Sequence, residues 1–348
     1  MKVVSGYMAS RREVAELAGV SEATVSRVLN GVGPMREATR IRVLEAAQAL
    51  GYHRNAIAAS FARGRSGNLG VVLPHVPKVR VFSTYYFSEI LGGIGEAAHA
   101  HGYGLLLLHR NPQEPYDYLS LFRSVRIDGC IVLGASSIES ETAGIEQMAE
   151  AGVPFCLIDH NSEGDGVSAV VAAHEEGSWQ AVTHLLDRGY ERIGFLNGSA
   201  RYSTSAERYA GYVRALRDKG LEPDSTLRFE GNYSLTSGRA AAAAVHARLS
   251  ALDALFVAND RMAIGLMQGL RELGCSLPED LPIVGCDDSD AARMSNPPLT
   301  TVRVPFYEMG RIAGDRLLSL LPDWQGESSG FREVIPTELI IRTSSVRL

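Results

Sequence analysis

Glu22, Ala23, Thr24, Ser26 and Arg27 are predicted to share one face of a short helix, with Val25, Val28 and Leu29 turned the other way. The outward set is small and polar and carries a single guanidinium. Such a face reads base edges. Arg27 offers the paired donors that match guanine O6 and N7, and Ala23 packs near a thymine methyl. Glu22 either accepts from a cytosine amino group or excludes other bases by its charge. Ser21 and Asn30, at the two ends of the helix, complete the set expected to touch DNA.

These side chains need a partner helix to present them. Ser10 and Glu13 form an S-x-x-E capping box, so that helix should start at Arg11. Val14, Leu17 and Ala18 predict its buried stripe. Gly19 breaks the run where positive φ is cheap, and the Ser21 hydroxyl caps the second helix. A helix, a glycine turn and a second helix with a free polar face fit a DNA major groove, although an ordinary αα-hairpin shares the pattern. A third helix is predicted over 39–50, with Val43, Leu44, Ala47 and Leu50 on one face and Gly51 at its left-handed end. Asn55 then caps a short Ala-rich stretch that Gly64 and Gly67 release.

Charge points the same way. Residues 1–66 carry 10 Lys or Arg against 5 Asp or Glu, so within a chain of net charge −6 the remainder stands at −11. A basic head on an acidic body is the mark of a polyanion-binding module joined to something else. With 348 residues, 45% of them apolar, the chain can hold two or three domains. No apolar run approaches the roughly 20 residues that span a bilayer, and the first residues read as lacking a signal peptide, so a cytoplasmic protein is expected. Met1 and Met8 are both candidate starts of translation. Cys130, Cys156, Cys275 and Cys286 show no C-x-x-C spacing and are expected to be buried free thiols.

From Asn68 onward, short apolar runs such as NLGVVLP, YGLLLLH, GCIVLG, VPFCLID, RIGFLNG, ALFVAND, PIVGCDD and TTVRV alternate with helix-length segments. That pattern predicts parallel sheets covered on both faces, with more β-α units than one sheet needs, and hence two lobes. Ligands of such folds bind just beyond the carboxyl ends of the strands.

Residues 10–64 resemble the DNA-binding headpiece and hinge of the LacI/GalR family of transcription regulators, on the blocks AGVSEATVSRVLNG and ALGYHRNAIAASFARG. The body resembles the same family through HLLDRGYERIGFLNG, AERYAGYVRAL, ALFVANDRMAIG, LPEDLPIVGCDD, NPPLTTVRVPFYEMGRIA and IPTELIIRTSS. The resemblance implies an α-helical helix-turn-helix domain over 8–53, a hinge helix and linker over 54–66, and a two-lobed periplasmic-binding-protein-like α/β domain over 67–348. It assigns 67–167 and 299–326 to an N-lobe and 168–298 and 327–348 to a C-lobe, with crossings near Ser168, Pro298 and Gly326. It also implies a homodimer on palindromic operator DNA, a small-molecule effector in the interlobe cleft, and no cofactor. Hinge contacts are expected from Asn55, Ala58 and Phe61, with Phe61 in the place of the usual minor-groove Leu wedge.

Arg208 in ERYAGY, Asn259 in VAND and Asp287 in GCDD carry over onto the family's ligand-contact motifs, as does Asp159 at the end of VPFCLID. A guanidinium fork, an amide and carboxylates suit vicinal hydroxyls or a small anion. Tyr85, Tyr86, Phe87, Tyr233 and Phe306 supply flat faces for a sugar ring or for ordinary core packing. The alternative for Arg208 and Asp287 is a structural ion pair. His174 reads as a lobe-crossing residue rather than a catalyst, and Gly93-Ile94-Gly95 lies inside a helical pattern, where a dinucleotide loop does not belong. Four departures stand out: Arg54 for Pro, Ala59 for a polar residue, Arg36 for the Ser cap of the third helix, and a first cleft loop that is long and lacks Asn-Pro. The expectation is a non-enzymatic repressor of a carbohydrate-use operon that responds to a sugar. The alternatives are a nucleobase, a phosphorylated co-effector, or a pure small-molecule binding protein.

Overall fold

The chain divides into two units, Met1–Ser66 and Gly67–Leu348, and among the described residues three helices build the first. The computed structural model describes residues 9–30, 33–52, 64–75, 84–111, 113–161, 164, 166–324, 326 and 330–346. In the first unit, α1 (Arg11–Ala18) starts at the reciprocal Ser10–Glu13 capping box and ends at Gly19, whose φ is 65°. Helix α2 (Glu22–Asn30) follows, with the Ser21 hydroxyl accepting the Thr24 N–H at 3.2 Å. Helix α3 (Glu37–Ala49) has no side-chain cap at Arg36 and closes at Gly51, φ 59°. Val14, Ala15, Ala18, Val25, Val28, Val43, Ala46 and Ala47 form the core. Leu17 is 58% exposed and Leu44 and Leu50 are exposed too, so these three do not belong to the buried stripes predicted for them. Small residues take the inward places, Ala15 in α1 and Ala46 in α3, because three short helices approach too closely for Leu.

The second unit alternates strand and helix. In order it runs β1 (Asn68–Pro74), α4 (Tyr85–Ala100), β2 (Gly104–Arg110), α5 (Tyr118–Arg123), β3 (Gly129–Leu133), α6 (Glu139–Glu150), β4 (Phe155–Ile158), β5 (Ser168–Ala172) and α7 (His174–Leu186). It continues with β6 (Ile193–Asn197), α8 (Ser203–Asp218), β7 (Arg228–Glu230), α9 (Leu235–His246), β8 (Ala254–Val257), α10 (Asp260–Glu272), β9 (Ile283–Asp287), α11 (Asp290–Met294) and β10 (Thr300–Arg303). Helix α12 (Phe306–Leu320) and strands β11 (Arg332–Ile335) and β12 (Glu338–Ile340) complete it. One six-stranded sheet has the order β11-β5-β4-β3-β1-β2 and is parallel throughout. The other has the order β12-β10-β9-β8-β6-β7, with β12 alone antiparallel to its neighbour.

Interior strands β3 to β6, β8 and β9 are buried along their whole length, as apolar runs under helices on both faces must be. The edge strands β2, β7, β11 and β12 are not. Among them β2 leaves two leucines, Leu105 and Leu107, exposed. All four cysteines are buried free thiols.

The lobe boundaries lie further along the chain than the resemblance placed them. Ser168 pairs with Cys156 and Val170 with Ile158, so β5 belongs to the first sheet and the chain crosses only after Ala172. Thr300 to Arg303 pair with β9 in the second sheet, which moves the next crossing from Pro298 to beyond Arg303. Strand β11 returns beside β5 before β12 joins β10, so the third crossing falls after Ile335 and not near Gly326. In each case strand pairing holds the chain in its sheet for a few more residues.

Helix α12 packs against α4 at glycine contact. A Cβ on Gly93 would lie 1.9 Å from the Tyr307 carbonyl oxygen, and one on Gly310 would lie 2.1 Å from that of Ile90. This close approach brings Phe306, the first residue of α12, against Tyr85 and Tyr86 at the start of α4. Gly93→Ala is expected to cost about 2–3 kcal/mol, because backbone cannot move aside as a side chain can. Gly95→Ala, whose Cβ would meet only Leu105 at 3.8 Å, is the control and should be neutral or stabilising. Urea denaturation of both variants checks the difference.

Candidate functional site

In the first unit the predicted reading face is open. Ser21, Glu22, Ala23 and Arg27 are exposed, and Thr24 and Ser26 are half-buried. Thr24 shares its hydroxyl with Ser21 at 2.9 Å, which stiffens the first turn of α2. Glu22 is held by Arg11 of α1 at 3.1 Å, both side chains about half exposed. A pair this exposed contributes about 0.2–1 kcal/mol at most, so it orients Glu22 without committing it. The Asn30 side chain and the hinge contacts expected from Asn55, Ala58 and Phe61 lie outside the described residues.

In the second unit, the carboxyl ends of both sheets face a cleft of about 180 Å³ that opens to solvent. Tyr86, Phe87, Asp159, Arg208, Tyr233, Asn259, Asp287 and Phe306 all line it. The loop from 76 to 83 is outside the described residues. Of the five non-glycine residues with positive φ among the described residues, three line the cleft: Asp159, Tyr233 and Asp287, at 59°, 66° and 129°. Backbone strain of this kind persists only where the surroundings over-determine it, and it gathers at binding sites.

Arg208 is 4% exposed. Its Nη1 donates to the Tyr233 hydroxyl at 3.3 Å and its Nη2 to His174 Nδ1 at 3.2 Å. The Tyr233 oxygen lies 2.6 Å from Ser205 Oγ, which in turn donates to the Ser199 carbonyl at 2.7 Å. A Cβ on Gly198 would sit 2.0 Å from the Tyr233 ring, so only glycine after β6 leaves room for it. Asn259 caps α10, accepting the Met262 N–H at 3.0 Å, and donates to the Tyr233 carbonyl at 3.2 Å. Its amide therefore fixes the strained Tyr233 as well as facing the cleft.

His174 joins the lobes. It follows β5 at the first crossing, and its Nε2 lies 2.6 Å from Asp159 Oδ1, beyond β4. A guanidinium can only donate, so Nδ1 must accept from Arg208 and Nε2 must carry the proton given to Asp159. Burial opposes the charge of Asp159, but His174 and Arg208 hold its carboxyl below the usual value. Direct lobe-to-lobe bonds flank this bridge. Ser137 N–H donates to the Arg201 carbonyl at 2.8 Å, Asn161 N–H to Ser203 Oγ at 3.0 Å, and Arg261 Nη1 to Thr84 Oγ1 at 3.2 Å.

The ion-pair alternative for Arg208 and Asp287 fails in two respects. Both belong to the second lobe, on α8 and β9, and among the described residues no hydrogen bond or ion pair joins them. The structural ion-pair centre is the next residue. Asp288 is buried and bound by Arg342, by Arg303 at 2.8 Å and by Arg293 at 3.4 Å. Sequence reasoning missed Tyr202, Thr204 and Arg261 on the cleft and Asp260 behind it. Asp260 and Arg261 follow Asn259 directly, the one signal that marked them.

Two family models match the chain: bacterial regulatory proteins of the lacI family over residues 12–55, and a periplasmic binding protein-like domain over 182–345. The HTH-type transcriptional repressor PurR of Vibrio atlanticus (strain LGP32) is 31% identical over 342 residues, covering 98% of this chain and 99% of the relative. The chain belongs to the LacI family. Among solved structures, a lac repressor dimer bound to operator and the anti-inducer ONPF is 26% identical with TM-score 0.83, over 98% of this chain and 100% of that one. A CelR–cellobiose complex is 29% identical with TM-score 0.71, over 97% and 99%. This LacI-family chain is therefore a DNA-binding transcriptional regulator with a two-lobed effector domain, and not an enzyme. Among its described residues no helix is long and apolar enough to cross a membrane.

The cleft of this LacI-family protein carries an unusual proton balance. Burial raises the Asp260 carboxyl to about 7 against the donations of Thr301 and Ser289. Asp287 is also raised, by burial and then by the charge of Asp260. A carboxyl whose folded pKa exceeds its unfolded one binds more protons when folded, so its contribution to stability falls as pH rises through that interval. Here the interval runs from the ordinary 3.8 to about 7. Asp287→Asn removes one charge of the pair. Compared with the parent, its stability should fall less between pH 4 and 7 and be higher at pH 7. Urea denaturation at several pH values checks this, and an unchanged slope would assign the effect elsewhere.

Proposed function

We propose that this regulator is a homodimeric repressor of a carbohydrate-use operon, acting in the cytoplasm on a near-palindromic operator, with a sugar in the interlobe cleft setting its affinity. The observation that carries the reading is the set of Arg208, Asn259 and Asp287 around one cleft, beside aromatic faces and strained backbone. Arg208 Nε is buried without a partner among the described residues, and Asp287 lines the same cleft. A guanidinium, an amide and a carboxyl held around one cleft suit a hydroxylated ring. The solved relative bound to cellobiose supports the ligand class, and the operator-bound lac repressor dimer supports the assembly. The exposed edge of β2, with Leu105 and Leu107, offers apolar surface for a second copy.

A ligand between the lobes adds to or competes with the bonds at His174, Ser137, Asn161 and Arg261, and so favours one interlobe angle. Strand β1 follows the DNA-binding unit directly in the chain, which makes the angle matter for DNA. A coupling of about 1–3 kcal/mol changes operator affinity roughly 5- to 150-fold.

Arg27→Ala is expected to cost about 1–3 kcal/mol on an operator selected from random DNA and little on unselected DNA. Fluorescence anisotropy measures both. Equal losses would reduce Arg27 to a phosphate contact. For the cleft, a thermal-shift screen covers sugars, nucleobases and sugar phosphates, with and without operator. Sugars should shift the melting temperature, and Arg208→Ala and Asp287→Ala should each lose that shift and the operator response while still binding operator. A response confined to nucleobases or phosphates replaces the sugar, and a normal response in both variants moves the site out of the cleft.

A further inference from the structure

The short loop after β3 reaches the other lobe. Ser137 N–H and Ser137 Oγ both donate to the Arg201 carbonyl, at 2.8 and 3.1 Å. A loop this short and this near the surface needs outside support to hold such a geometry. The support is a buried ion pair behind it. Arg110, the last residue of β2, and Glu141, in the first turn of α6, are paired with each other, each side chain only 1% exposed. The guanidinium donates to the Leu133 carbonyl at 3.3 Å and to the Gly134 carbonyl at 3.1 Å. The carboxylate accepts the Ser136 N–H at 3.0 Å and the Ser136 hydroxyl at 2.6 Å. The cation therefore grips the incoming carbonyls of the loop, and the anion grips its outgoing donors.

Stability alone does not call for this pair. Two charges withdrawn from water gain little over well-packed apolar side chains of the same volume. An apolar pair would fill the space, but it could not hold two carbonyls and two donors of one loop. We infer that Arg110 and Glu141 are positioning residues for the contact between the lobes. By fixing residues 133–136 they aim Ser137 at Arg201, and so bias the angle at which the effector domain rests before any ligand arrives. The consequence for DNA rests on the proposed regulator reading, in which that angle sets operator affinity. The positioning role does not.

The test is double electron–electron resonance on the full-length protein, without operator or effector. Nitroxides are attached at Ala100→Cys, at the end of α4, and at Ala210→Cys, in α8, one exposed site on each lobe. The four native cysteines are buried. Dilution with unlabelled protein confines each measured pair to one chain. The parent should give one main distance. Arg110→Met/Glu141→Leu fills the space without charge, so its melting temperature should stay near the parent's. Its main distance should lose population to a second, with the ratio of the two changed about tenfold, as the loss of two hydrogen bonds implies. Ser136→Ala keeps the pair and removes one hydroxyl contact, and should move the distribution the same way by less. A pair that only stabilises the lobe would change the melting temperature and leave the distances alone. Parent-like distances in the folded double variant overturn the inference. If that variant does not fold, parent-like distances in Ser136→Ala do the same. Operator affinity is then measured on the same variants. A changed angle with unchanged affinity leaves the positioning role standing and refutes the proposed route from angle to DNA.

Discussion

The bridge from Asp159 through His174 to Arg208 ties the effector domain together at its most consequential point. It spans the first chain crossing and is buried, and each of its bonds has only one workable proton assignment. Removing any member leaves a buried charge or imidazole without its partner, a loss of several kcal/mol in a protein interior. Arg208 is thereby aimed before any ligand arrives. Its other amine rests on Tyr233, whose position depends in turn on Asn259 and on the absence of a side chain at Gly198. The polar wall of the cleft is thus a continuous network, organised without a ligand. That is the condition under which a few hydrogen bonds select one compound over another.

The apolar wall has a different origin. Phe306 comes from the helix that follows the second crossing, so its place beside Tyr85 and Tyr86 depends on how closely α12 and α4 pack. Glycines on both helices set that distance by backbone contact. The two walls therefore belong to different lobes, and a ligand that touches both reports the angle between them. The direct bonds of Ser137, Asn161 and Arg261 show that the lobes already meet around the cleft. Binding has only to change the balance among contacts that exist, the usual economy of hinge and shear motions.

The three-helix unit is a smaller problem with a smaller solution. Its core consists of Val and Ala, and a domain of this size buries too little surface to be strongly stable alone. Capping at Ser10 and Ser21 and the left-handed Gly19 and Gly51 therefore carry a large share of its definition. This is why the unit was so legible: caps, turns and three-residue spacing are local signals. The misplaced residues, Leu17, Leu44 and Leu50, are those whose burial depends on how near the neighbouring helices come.

The same division holds for the body. By itself the sequence determined the alternation of strand and helix and the division into two lobes, because periodicity and caps are carried by near neighbours in the chain, while the residues expected on the cleft followed from motifs it shares with the family. Only the tertiary structure decided where the chain changes lobes, since β5, β10 and β11 are held by pairing with strands 12 to 163 residues away, and short runs such as SAVVA do not announce that. It likewise decided that Asp288 and not Asp287 is the ion-pair centre, that Asp260 lies buried behind the site, and that His174 joins the lobes. Each of these depends on which groups share a low-dielectric space. That is a property of distance through the fold, which no spacing along the chain records.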